Sequence, residues 1–211
     1  MESDWAAERL NQIRTLMDRS ASYRQALAPT TIATGIIGIT ASVIGYFSQI
    51  ASPKGFAGFW LSTAILTLTI ALALVRLQSL RSAEPFWSIP TRRIAEAVTP
   101  PFFFGLIVSI IPFLLESMPE RLIWWLPPLW MGFYGCGLYS AGFFMPRGIK
   151  VFGLGFLLTG CLGLLGLIEP THLQNHPPIH HAHLVMGGSF GAMHLAYGLY
   201  LYLTEATELA T

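Results

Sequence analysis

Charge is what this chain most lacks. Asp, Glu, Lys and Arg make up only 11% of its 211 residues, where a soluble domain typically carries about 25%. The common physical cause is a chain whose side chains mostly face lipid or other helices, where each charge costs about 3 kcal/mol or more. Net charge is +1 at neutral pH, so there is no electrostatic case for nucleic acid. Cysteine is nearly absent as well. Cys136 and Cys161 both sit in apolar runs and read as small packers rather than a disulfide. No phosphate loop, HExxH or CxxC occurs, which removes the common routes to nucleotide and thiol chemistry. The first 28 residues hold eight charges and no apolar h-region, so a cleavable signal peptide is not expected.

What is present is apolar and aromatic. Hydrophobic residues are 53% of the chain, mean hydropathy is +0.56, and there are 14 Phe and 6 Trp. We expect an all-α polytopic membrane bundle in a bacterial cytoplasmic (inner) membrane. Six spans are expected, at about 29–50, 56–77, 100–116, 123–145, 151–168 and 181–203. Residues 1–28 should form a cytoplasmic amphipathic helix, with Ala6, Leu10, Ile13 and Met17 on one stripe. Residues 204–211 would be a cytoplasmic tail. The segment Gln78–Thr99 reads as the largest loop, and Pro100 and Pro101 as the start of the third span.

Basic residues fix the topology. With the N-terminus in the cytoplasm, ten cations, including Arg76, Arg92, Arg93 and Lys150, fall on one side. Lys54 and Arg121 alone fall on the other. That bias places both termini in the cytoplasm. Glycines occupy several span faces: Gly35, Gly38 and Gly45; Gly132, Gly135 and Gly137; Gly160, Gly163 and Gly166. Small faces of this kind let helices approach closely.

All six histidines lie between His172 and His194. His180 and His183 have the spacing of a helical ligand pair, and His176 could join them across Pro177 and Pro178, giving a candidate zinc or copper site. The plainer reading, a solvated outer loop with incidental histidines, is preferred. His194 lies near the membrane centre on a stripe shared with Tyr197. It is the candidate haem or other ligand contact. Here too the plainer reading is preferred: a neutral His bonded to a hydroxyl or carbonyl of a neighbouring helix. A b-type haem usually wants two facing histidines, and no second one lies inside a span.

The pre-membrane RTLMDRSASY (Arg14 to Tyr23) and the closing GGSFGAMHLAYGLYL (Gly187 to Leu201) resemble a loose group of bacterial multi-span membrane proteins without assigned activity. The resemblance implies a small inner-membrane protein and lends no catalytic residue. Three functions compete. The first is a non-enzymatic accessory, scaffold or signalling subunit, joined to a second membrane subunit or copy through glycine faces, or to a cytoplasmic partner through the N-terminal helix. The second is a metal- or haem-binding redox protein. The third is a small-solute transporter. The first is favoured, because no charged residue lies mid-span, and an enzyme is not favoured.

Overall fold

The computed structural model describes residues 27–81, 86–145, 147–168 and 177–208. The expected amphipathic helix of the N-terminal segment, His172, His176 and the end of the tail lie outside these residues. Among the described residues the secondary structure is all helical.

Helix α1 spans Leu27–Phe47. Its threonines need no outside partner: Thr31 Oγ1 donates to the Leu27 carbonyl at 2.6 Å and Thr34 Oγ1 to the Thr30 carbonyl at 2.9 Å. The helix ends in a Schellman turn. Ile50 N–H reaches back to Gly45 O and Gln49 N–H to Tyr46 O. Gln49 holds the left-handed position of that turn, at φ 51°. Helix α2, Pro53–Arg81, starts from a Ser52 cap, whose Oγ accepts from Gly55 N–H at 3.0 Å. Proline at the first helical position completes the start signal.

Helix α3 is Ile89–Leu114. It begins eleven residues before Pro100, so most of the expected loop is helix. Ser88 supplies the cap and Pro90 sits in the first turn, while Pro100, Pro101 and Pro112 are carried inside. A one-turn helix, α4 (Glu120–Ile123), leads into α5, Leu126–Ala141. At 16 residues α5 is about 24 Å long. Helix α6 is Arg147–Ile168. The last helix, α7, changes pitch along its length. It opens as a 3-10 turn at Ile179–His181, is α-helical over Ala182–Met186, widens to a π-helix over Gly187–Met193 and returns to α over His194–Glu208.

Four of these helices, α1, α2, α3 and α6, are long and apolar enough to cross a membrane. Their outer faces are bare of polar cover: Phe47 is 76% exposed, and Leu66, Leu72, Phe103 and Leu162 are exposed beside it. In water such a surface would aggregate; in lipid it is matched.

Two glycine seams join the helices. In the first, α1 and α7 run antiparallel. Gly35 meets the Leu195 backbone, Gly38 meets Gly191, Ser42 meets Gly187 and Gly198 meets Ile32. A Cβ on Gly38 would lie 2.9 Å from the Gly191 Cα, and one on Gly35 2.5 Å from Leu195 N, so backbones touch backbones here. In the second seam α5 runs antiparallel to α6. Gly135 faces Leu157 and the Gly153 carbonyl, and Gly160 faces Gly132. The expected packing role of these faces is therefore where the glycines go, except Gly132 and Gly166, whose own Cβ positions are open.

The cations stand toward the two ends of the bundle. Arg93 stands over Phe144 at 5.9 Å, Lys150 Nζ over Phe143 at 3.4 Å and Arg76 over Phe86 at 5.6 Å. These contacts place the start of α3, the end of α5 and the start of α6 at one end of the bundle. Lys54, in the first turn of α2, and Arg121, in α4, belong to the opposite end. There Trp124 Nε1 donates to the Pro177 carbonyl at 3.0 Å.

Candidate functional site

Two histidines are drawn into the bundle, and each is the centre of a polar node. His183 is fully buried, at 0% exposure. It comes from the first α turn of α7, and Gly45 on α1 leaves the space its ring occupies. Trp60 Nε1 donates to His183 Nδ1 at 3.0 Å. An indole N–H can only donate, so Nδ1 accepts and the ring proton sits on Nε2. That nitrogen faces the Ile50 carbonyl at 3.1 Å and donates to it. The Schellman turn of α1 is what aims this carbonyl inward. Phe56 and Phe59 close the ring's remaining sides, at 4.9 and 5.4 Å between centroids. Ser42 Oγ donates to the His183 carbonyl at 2.7 Å. One imidazole thus links α1, α2 and α7.

Of the candidate zinc or copper set, His180 and His183 are among the described residues. Both nitrogens of His183 are engaged by protein, so neither presents a lone pair to a metal. His180 packs on His181, with centroids 4.2 Å apart, and both lie against Tyr46. His176 lies outside the described residues. No group of three or more His, Cys, Asp or Glu among the described residues is placed to hold a metal ion. The physical reason is helix register: the turn that carries His183 inward leaves His180 outside on the rim with His181.

The second node is His194, 3% exposed, one residue past the π segment. Its Nε2 lies 2.7 Å from the Tyr134 hydroxyl on α5. Phe152 and Phe156 from α6 stand against the ring at 5.1 and 5.2 Å. Tyr197, one turn on, stacks on Phe152 at 4.4 Å and 14°, and its hydroxyl abuts Gly148. His194 and Tyr197 therefore do share the inward stripe, as their spacing predicts. His194 Nδ1 and Tyr197 Oη have no hydrogen-bond partner among the described residues. A haem does not fit: Nε2 takes the Tyr134 hydroxyl, and aromatic rings occupy the space a flat macrocycle would need.

The π segment shapes this node. Gly187 and Gly191 lie on the α1 seam, while Ser189 turns its hydroxyl back to the Val185 carbonyl at 2.8 Å and the Met186 carbonyl at 3.3 Å. A π turn breaks the usual i→i−4 ladder, and Ser189 covers oxygens beside that break. Its extra residue also turns the His194 face relative to the His183 face. Trp60, Tyr134 and the Ile50 carbonyl were not singled out from sequence. The one available signal was Trp60, an indole seven residues into a span rather than at its edge, whose N–H needs a partner in lipid.

Fold and nodes together define a multi-pass helical membrane protein whose buried polar groups tie helices to one another. No family model matches the chain, and neither a curated protein nor a solved structure does. The resemblance to bacterial multi-span proteins rests on its two end motifs, and Arg14 to Tyr23 lies outside the described residues.

Proposed function

We propose that this chain is a non-enzymatic subunit of a membrane assembly, a scaffold or signalling partner in the bacterial inner membrane. It spans six times. Helices α5 and α7 add two crossings to the four long apolar helices, α5 by its place between α3 and α6, and α7 by lying antiparallel along α1. Both termini then lie on the cation-rich side, which the basic bias assigns to the cytoplasm. The observation that carries the functional reading is how the histidines are used. The two groups best suited to binding or proton chemistry, His183 and His194, are each hydrogen-bonded to an aromatic side chain and wrapped in rings. Both nitrogens of His183 and Nε2 of His194 are used to join helices. What the protein offers outward is apolar helix surface and, before Leu27, the charged N-terminal segment as a docking helix.

Purification in a mild detergent tests this. A stoichiometric partner subunit or a homo-oligomer is expected by crosslinking and mass measurement. A strictly monomeric particle with no partner, seen in two unrelated detergents, would overturn it.

A further inference from the structure

The basic end of the bundle carries a shallow cleft of about 410 Å3, lined by Trp87, Arg92, Ala95, Glu96, Thr99 and Pro100. It lies where α3 passes from charged to apolar residues. Its polar equipment is one cation and one anion. Arg92 Nε donates to Glu96 Oε1 at 2.8 Å, and both side chains remain largely exposed. This pair uses Nε and Oε1, not the guanidinium's outer edge or Oε2. Trp87 is 62% exposed and presents an indole of the kind that sits at headgroup depth. Pro100 and Pro101 stand inside the helix and have no N–H, so the Glu96 and Ala97 carbonyls lose their in-helix donors. Two backbone acceptors are therefore left open in the turn that carries the carboxylate. Exposed Phe103 and Phe104 continue the apolar surface further along α3.

We propose that this cleft holds the headgroup of a phospholipid bearing a primary amine, the phosphoethanolamine class. The phosphate pairs with the outer edge of Arg92. The ammonium gives its N–H groups to Glu96 Oε2 and the released carbonyls, with the Trp87 ring alongside. A quaternary ammonium has no N–H for those oxygens. A headgroup with phosphate and no amine sets its net negative charge against Glu96. A zwitterionic site thus selects a zwitterion with a donor at its positive end. This proposal rests on the cleft alone and is independent of the scaffold reading.

The test is native mass spectrometry of the full chain in mild detergent. Phosphatidylethanolamine, phosphatidylcholine and phosphatidylglycerol with identical acyl chains are added in equal amounts. The ethanolamine lipid should be retained about tenfold over the other two. Glu96→Gln should abolish that preference while retaining lipid, and Arg92→Gln should weaken all three together. Lys54→Gln, at the opposite end, should leave the preference as it is. Soluble phosphoethanolamine should not displace the bound lipid. Equal retention of ethanolamine and choline lipids, or a preference that survives Glu96→Gln, would overturn the proposal. So would displacement by the soluble headgroup, which would reassign the cleft to a small solute. Both substituted side chains are exposed, so unchanged helicity and elution volume are expected and checked first.

Discussion

Trp60 and His183 should behave as one energetic unit. Trp60→Phe removes only the indole N–H and part of a ring, and leaves His183 Nδ1 buried without a donor. An orphaned buried acceptor costs about 1–3 kcal/mol. His183→Leu keeps the volume roughly but orphans two groups, Trp60 Nε1 and the Ile50 carbonyl, so about 2–6 kcal/mol is expected. In the double variant the indole donor is gone as well, and only the Ile50 carbonyl is left over. The double variant should therefore be more stable than the sum of the two losses implies, by about 2–6 kcal/mol, since two of the three orphaned groups are missing from it. Reversible unfolding in mixed micelles, with a rising denaturing-detergent fraction, measures all four corners of the cycle. Losses that add to within about 0.5 kcal/mol would refute the coupling. A chelator supplies a second arm. If His183 served a metal instead, EDTA would lower the wild-type midpoint and Trp60→Phe would matter little; the bonded arrangement predicts that EDTA changes nothing.

Tyr134→Phe should cost about 1–3 kcal/mol in the same assay, because His194 Nε2 loses its hydroxyl in a buried site. Gly38→Leu should wedge α1 from α7 and cost about 3 kcal/mol or more, while Gly188→Ala, whose Cβ would meet nothing, should be tolerated; trypsin sensitivity in detergent separates the two. Gln49→Gly should stabilise by about 1 kcal/mol by relieving a left-handed backbone, read as a raised unfolding midpoint. With Cys136 and Cys161 replaced, single cysteines at Arg92 and Lys150 should react with an impermeant maleimide from one side of sealed vesicles and those at Lys54 and Arg121 from the other; labelling of Arg92→Cys and Lys150→Cys from opposite sides would break the topology.

Long apolar runs made α1, α2 and α6 legible from composition, since twenty residues without charge have few other uses. The start of α3 was not. Pro100 and Pro101 look like a helix start, but Ser88 and Pro90 give the same signal eleven residues earlier, and an existing helix can carry prolines within lipid. Glycine faces could be read as contact surfaces. Which helices they join could not, because Gly38 and Gly191 are far apart in the chain and neither carries a code for the other. The same limit applies to the nodes. His194 announced itself as an ionisable ring mid-span. Its partner Tyr134 is one hydroxyl among several, and only the packing of α5 beside α7 selects it. His183 sat in a run of five histidines and drew the metal reading; the π segment and the Schellman turn, both invisible to simple periodicity, decide that its ring points inward.

Helices α1 and α7 lean on each other along most of their length. During synthesis, α1 emerges with a notched flank that α7 fills only after the helices between them have been made. Assembly is thus a ring whose clasp is fastened when α7 arrives. Any product that stops short of the closing segment leaves its opening segment unmated, a natural handle for membrane quality control.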